Sequence, residues 1–412
     1  MAVTSSPPGI PDPSRLEKWI NDTLGGGPAE LTDIQLIAGG RSNLTYRLAL
    51  AGPDAGPDAA PDTGPEATPD TGPDATRDAA GAAMPDGPGA GRLVVLRRPP
   101  LGHVLPTAHD MSREFRVLFA LAGTEVPVAR PLAFCADAAV VGAPFYLMEH
   151  VPGAVLRTRQ DTAALTESQN RDLSEGVADM LAAIHGVDVA ATGLTGLGRG
   201  AGYLRRQLDR WQRQWELSRT RQIPGYDELV VRLTAAFPGE GEVTLVHGDF
   251  RLDNVLVTTQ PRPRIRAVVD WEMATLGDPL ADLGLTLVYW TDPGEGSWLN
   301  AATGSAAPAP GLTTDATASP GFLTRAEFAA GYARRTGRDI SRIGYYVAFG
   351  YFKLAVVLEG IHARFQQGKT VGEGFEQEGL VVPTLIARAH EVLDRDGLDR
   401  DGLDGDSPDR DG

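Results

Sequence analysis

One stretch of this 412-residue chain sets polar side chains between apolar runs: Leu245-Val246-His247-Gly248-Asp249-Phe250-Arg251-Leu252-Asp253-Asn254-Val255-Leu256-Val257. The first run leads into a loop and the second leaves it, so Asp249 and Asn254 share the loop, five residues apart. Sixteen residues past Asn254, a third run, Ala267-Val268-Val269, ends on Asp270. A carboxylate such as Asp249 can orient a hydroxyl. Asn254 and Asp270 offer the hard oxygens that Mg²⁺ takes from a protein, the remaining ligands being water and phosphate. Those are the parts that phosphoryl transfer asks of a protein. An Asp on a glycine-containing loop is by itself usually a turn former. The three elements at these spacings together point to chemistry.

The elements around the loop divide the chain in two. Residues 34–37 form a short apolar run, 44–50 (LTYRLAL) alternate, and 93–96 (LVVL) are rich in β-branched residues, which predicts three strands. Residues 110–122 show helical spacing, with Phe115, Leu118, Phe119 and Ala122 on one face, after a capping signal at 107–110. Strand-like runs follow at 131–135 and 145–149. Beyond Val151-Pro152-Gly153 the pattern turns helical, at 164–185, 202–218, 325–336, 345–366 and 380–393, interrupted only by the strand-rich 243–272. This predicts an α+β fold of two lobes, a small antiparallel sheet with one helix and a mainly helical lobe: an N-lobe at 14–148, a C-lobe at 149–393, and a tail at 394–412.

Two biased stretches carry most of the charge. Residues 51–91 hold Pro-acid pairs every four residues, with seven Asp and one Glu against Arg77, and residues 394–412 hold eight Asp against three Arg. Together they account for −12 of the formal −16, so the remainder is only mildly acidic. Neither stretch offers enough apolar surface to offset the entropy of ordering it, and both read as disordered. The first falls at the tip joining the second and third strands, where long insertions are tolerated. The charge balance argues against nucleic acid as a partner. Cys135 is the single cysteine, so no intrachain disulfide forms. The N-terminal residues lack a signal peptide's basic start and apolar core. The apolar run 345–361 is short for a membrane span, contains Lys353 and Glu359, and reads as a buried helix. A cytoplasmic protein without membrane contact is expected.

HGDFRLDNVLV followed by VVDWEMATLGDPLADLG resembles the aminoglycoside phosphotransferase family, relatives of the protein kinases. The segments at 39–48, 93–118, 142–153, 204–215 and 345–365 are similar to the branch of that family found fused to acyl-CoA dehydrogenases. The resemblance implies a two-lobed protein-kinase-like fold and ATP with Mg²⁺ as cofactors. It implies that Asp249 is the catalytic carboxylate, His247 the histidine that stabilises its loop, and Asn254 and Asp270 the metal ligands. Gly39, Gly40, Ser42 and Asn43 resemble the turn that covers the phosphates, and Glu149 and Val151 the stretch between lobes that meets the adenine. Asp278 and Asp282 are expected to hold loops together.

At the third strand, where kinases carry a Lys paired with a Glu of the next helix, this chain has Arg97, with Glu114 as its expected partner and Arg98 as a rival. Arginine grips phosphate bidentately but is not equivalent to lysine. The acceptor is a small molecule with a hydroxyl, and the family branch suggests a hydroxyacyl-CoA or hydroxy acid. An aminoglycoside acceptor, or a nucleotide-binding adaptor without catalysis, stays open, as do the oligomeric state and the choice of ATP over GTP. Arg206, Arg210 and Arg213 lie near one face of the 203–219 helix. That stripe could meet an anionic acceptor, or be an ordinary solvated face.

Overall fold

The computed structural model describes residues 7–24, 28–37, 43–52, 92–101, 110–296, 315–368 and 377–397. The phosphate-covering turn expected at Gly39, Gly40 and Ser42 lies outside the described residues, as do residues 53–91 of the Pro-acid stretch and the tail from 398. The described chain divides into two compact units.

The first unit comprises residues up to Ser112 together with Pro131–His150. Helix α1 (Pro13–Leu24) precedes strands β1 (Glu30–Leu36), β2 (Leu44–Ala51) and β3 (Arg92–Arg98), and β4 (Pro131–Cys135) and β5 (Phe145–Glu149) flank the short helix α3 (Ala138–Val141). The five strands make one antiparallel sheet in the order β1-β2-β3-β5-β4. Strand β2 buries every second residue, Tyr46, Leu48 and Leu50, as its alternation predicts. Those side chains pack with Val94, Leu96 and Leu147 and with Leu16 and Ile20 of α1. Trp19 meets Phe145 edge-on, centroids 4.8 Å apart. Leu50 pairs with Arg92 across the sheet, so the long Pro-acid segment joins two adjacent strand ends.

The second unit comprises Arg113–Arg130 and the chain from Val151 onward. Helix α2 (Met111–Leu121) enters it at Arg113. After the single turn α4 (Arg159–Thr162) come α5 (Glu167–His185), α6 (Tyr203–Ser218), α7 (Tyr226–Ala235), α8 (Pro279–Tyr289), α9 (Arg325–Thr336), α10 (Ile343–Gln366) and α11 (Glu378–Asp396). Capping boxes at Thr166/Gln169 and Thr324/Glu327 start α5 and α9. Helix α10 is central. It packs on α6, α8 and α11 through Tyr345, Phe349, Phe352 and Val356. It is the one helix among the described residues long and apolar enough to cross a membrane, and 72% of its apolar stretch is buried inside the protein. Helix α6, which carries the stripe at 206–213, is amphipathic. Trp211 and Trp215 are buried, Trp215 stacks on Tyr226 at 4.0 Å, and Arg206 donates to the carbonyls of Arg199 and Ala201.

Two small antiparallel pairs interrupt the helices: β6 (Thr244–Val246) with β9 (Thr275–Gly277), and β7 (Val255–Thr258) with β8 (Arg264–Val268). The loop 247–254 runs from β6 to β7 and ends in a single 3-10 turn, Leu252–Asn254.

Candidate active site

Burial fixes the loop first. His247 is fully buried and packs against Phe250 and Trp271, ring centroids 5.9 and 4.7 Å away. Its Nε2–H donates to the carbonyl of Val269 (3.0 Å), and its Nδ1 accepts the backbone N–H of Asp249 (3.3 Å), which defines the tautomer. Burial lowers its pKa, so the ring is neutral at neutral pH. Gly248 next to it has φ +83°, and a Cβ there would lie 2.7 Å from the carbonyl oxygen of Met273. Only glycine fits that turn.

Asp282 of α8 clamps the turn from below. Its Oδ2 accepts the N–H of His247 at 2.7 Å, and its Oδ1 that of Gly248 at 2.9 Å. His185, at the end of α5, adds a third donor through Nε2 at 3.3 Å, while the hydroxyl of Tyr332 (α9) donates to its Nδ1 at 2.7 Å. Burial would raise the pKa of Asp282, but the hydrogen bond and proximity of His185, and His247 beyond it, outweigh that and lower it. Asp278 caps α8 through the N–H of Leu280 and accepts the hydroxyl of Tyr346 at 2.9 Å.

Held in this way, the loop presents Asp249 half-buried. Desolvation pushes its carboxyl up to about 6, with Arg251 and Lys353 pulling the other way. Asn254 is buried and donates Nδ2–H to both the backbone oxygen of Asp249 (2.9 Å) and its Oδ2 (3.2 Å). With the amide nitrogen so committed, the atom Asn254 can offer a cation is Oδ1. The N–H of Val269 donates to the carbonyl of Asn254 at 2.9 Å, which sets Asp270 beside the same loop. Asp270 has φ +67°, the only positive φ outside glycine among the described residues. Such conformations are costly and concentrate at functional sites. Asp249, Asn254 and Asp270, named from spacing, therefore converge on one loop and the strand end bonded to it.

Two neighbours were not singled out from sequence. Lys353, in the middle of α10, donates to the carbonyl of Gly248 at 2.8 Å and lies over the Trp211 ring at 5.8 Å. Arg251 pairs with buried Asp253 and lies over the Tyr289 ring at 4.6 Å. Burial opposes the charge of Arg251, but Asp253 and Asp249 outweigh it and raise its pKa. Lys353 comes from a helix a hundred residues away in the chain, and only its place inside an apolar run marked it.

The remaining expected site residues belong to the first unit, to α2 or, for Val151, to the second unit just past its boundary. Arg98 is 4% exposed, and its guanidinium donates to the carbonyls of Gly9, Val141 (2.6 Å) and Pro99 (3.1 Å). Those bonds spend it on the fold. Arg97 is half-buried and donates to Thr45 Oγ1 at 3.4 Å. Asn43 is buried just before β2, and Glu114 is buried in the first turn of α2. Glu149 ends β5 opposite Val94, and the boundary between the compact units falls between His150 and Val151.

The profile of the phosphotransferase enzyme family known as APH matches residues 87–313. The chain belongs to this family. Among curated relatives, mouse acyl-CoA dehydrogenase family member 10 is 32% identical over 309 residues, which cover 75% of this chain and 28% of that protein. Chicken acyl-CoA dehydrogenase family member 11 is 34% identical over 316 residues, 74% of this chain and 38% of that one. The chain thus spans well under half the length of these relatives. Among solved structures, a Ralstonia eutropha JMP134 protein with a provisional aminoglycoside phosphotransferase assignment superimposes with a TM-score of 0.69 at 28% identity, covering 93% of this chain and 98% of that one. A thermostable mutant of aminoglycoside phosphotransferase APH(4)-Ia, in complex with ADP and hygromycin B, gives 0.51 at 16% identity over 93% and 98% of the two chains, a likeness of fold. The chain has the α+β, protein-kinase-like fold of these neighbours.

Proposed function

We propose that this family member transfers the γ-phosphate of ATP to a hydroxyl of a small molecule, with Asp249 as the catalytic carboxylate and His247 as the residue that positions it. The reading is carried by the Asn254 side chain, which bonds Asp249 through Nδ2 and keeps its oxygen for a cation. One carboxylate, Asp270, and one amide oxygen, Asn254, form a hard-oxygen pair of the kind that suits Mg²⁺, whose other ligands are water and phosphate. Asn254 and Asp270 would hold the ion, whose positive charge would offset the negative charge that develops on the transferred group.

The chain's own residues do the rest. A carboxyl that titrates near 6 is ionised at neutral pH, accepts the hydrogen bond of an alcohol and takes its proton as the oxygen attacks. Arg97 would hold the α- and β-phosphates, while backbone groups of Glu149 and Val151 would pair with the adenine edge. Gly39, Gly40, Ser42 and Asn43 would cover the phosphates. The relatives' names suggest a hydroxyacyl-CoA or a hydroxy acid as acceptor.

The test is ATP consumption by purified protein with Mg²⁺ across hydroxyacyl-CoAs, hydroxy acids, sugars and aminoglycosides, with mass spectrometry of the acceptor. A phosphorylated acceptor whose formation is lost in Asp249→Asn, nucleotide binding being retained, supports the reading. Equal activity in that variant removes Asp249 from the role, and turnover on aminoglycosides alone moves the acceptor to that class.

A further inference from the structure

A small cavity opens beside the catalytic loop, lined by Tyr203, Gln207 and Trp211 of α6, Gly248 of the loop, Asp282 of α8 and Lys353 of α10. Its volume is about 10 Å³, room for one oxygen-sized group. Its wall brings together an ammonium, an indole and one carboxylate. Lys353 carries three N–H donors and gives one to the carbonyl of Gly248, and no carboxylate pairs with it among the described residues. Trp211 is 6% exposed, and its indole Nε1–H is buried without a hydrogen-bond partner. An orphaned buried donor costs stability unless something accepts from it. Asp282, the one carboxylate in the wall, already accepts the N–H groups of His247 and Gly248 and that of His185, while its charge and that of Asp249 favour the ammonium form of Lys353. The guanidinium of Arg210 lies over the Trp211 ring at 5.1 Å and adds positive charge nearby. Lys353, with its ammonium, and Trp211, with a buried N–H that lacks an acceptor, thus line a cavity that also touches Gly248, the neighbour of Asp249.

We propose that Lys353 and Trp211 are the specificity residues for the acceptor, and that they bind a carboxylate or acyl oxygen on the molecule whose hydroxyl meets Asp249. The inference rests on the phosphotransfer reading and deepens it, because it selects alcohols that also bear such an oxygen over neutral polyols. Trp211 supplies a directional donor and Lys353 the charge, a pairing suited to an oxyanion and hostile to a cationic amine.

The experiment measures phosphate transfer from ATP by the full chain to ω-hydroxybutanoate and ω-hydroxyhexanoate against butanediol and hexanediol. The parent protein should prefer the acids by about tenfold or more in kcat/KM, the worth of a charge-assisted hydrogen bond. Lys353→Met should bring that preference close to unity while KM for ATP stays near the parent value, and Lys353→Arg should restore part of it. Trp211→Phe keeps an aromatic ring but loses the N–H and part of the indole's bulk, so KM for the acids should rise more than that for the diols. A merely structural role would lower every rate together. Equal use of acids and diols by the parent, or an acid preference that survives Lys353→Met, overturns the inference and leaves the phosphotransfer reading intact. No transfer to either series or to any acceptor of the broader panel strikes the phosphotransfer reading, and the inference falls with it.

Discussion

Asp282 accepts the backbone N–H of His247 at 2.7 Å and thereby ties helix α8 to the loop that carries Asp249. With Gly248 and His185 it receives three donors inside the protein. The carboxylate does not touch the reacting groups in this arrangement. It fixes the backbone from which Asp249 projects.

Asp282→Ala should therefore destabilise the protein and disorder the loop together. It strands three buried donors, and hydrogen bonds to a charged group are worth about 1.5–3 kcal/mol each, so a loss of at least about 3 kcal/mol is expected. Asp282→Asn keeps one acceptor and should lose less. Thermal denaturation and kcat measured on both variants check the order. An alanine variant as stable as the parent would show that the clamp is dispensable.

Gly248→Ala should be worse than an ordinary surface glycine change. The left-handed backbone costs an L-residue about 1–2 kcal/mol, and the added Cβ would sit 2.7 Å from the oxygen of Met273. The loop must shift to relieve that contact, carrying Asp249 with it, so kcat should fall more than the melting temperature explains. Circular dichroism melts beside initial rates separate the two effects.

Arg97 and Arg98 of β3 should separate cleanly. Arg98→Met removes donors to three backbone carbonyls and should cost about 3 kcal/mol of stability, with KM for ATP little changed in the protein that remains folded. Arg97→Ala should leave stability near the parent and raise KM for ATP about tenfold, as expected for losing one charge-assisted phosphate contact. The reverse pattern would exchange their roles.

How much of this was legible in the sequence follows from the range of the interactions. His247, Asp249, Asn254 and Asp270 lie within 24 residues, and the apolar runs that flank them are strands, so spacing alone brought them together. Strands β4 and β5 fall on the strand-like runs at 131–135 and 145–149, and α9 matches its expected ends. Helix α8 did not show itself: Leu283, Leu285, Leu287 and Val288 leave it apolar around most of its circumference, and a helix buried on all sides has no 3.6-residue stripe. Helices α1 and α7 were passed over although Leu16 and Ile20, and Leu229 and Leu233, mark their buried faces. Helix α11 runs to Asp396, three residues past the expected end, into what read as the start of the tail. Lys353 and Trp211 could not be read as site residues, since each sits in an amphipathic or buried helix and acquires its neighbour only when α6 and α10 pack.

The pH dependence joins the site to the stability. Burial raises the Asp249 carboxyl to about 6, so activity should fall as pH drops through 6, read as a descending acid limb of kcat/KM against pH. Stability carries two opposing contributions. His185 and His247 have lowered pKa values in the fold, so below about 6.5 the unfolded chain takes protons that the folded chain refuses, and stability falls with pH. Asp249 runs the other way: its folded carboxyl takes a proton near 6, before the unfolded one does near 4, so this group adds stability as pH falls across that window. The same sign means that ionised Asp249 is a burden on the fold at neutral pH and above. Asp249→Asn should therefore be inactive yet melt higher than the parent at pH 8, with the gap closing toward pH 4 as the parent's carboxyl protonates. Calorimetric scans of parent and variant from pH 4 to 8 check this. A variant that melts lower than the parent at pH 8 would show that the bonds from Asn254, or the charges of Arg251 and Lys353, stabilise the ionised carboxylate more than burial costs it.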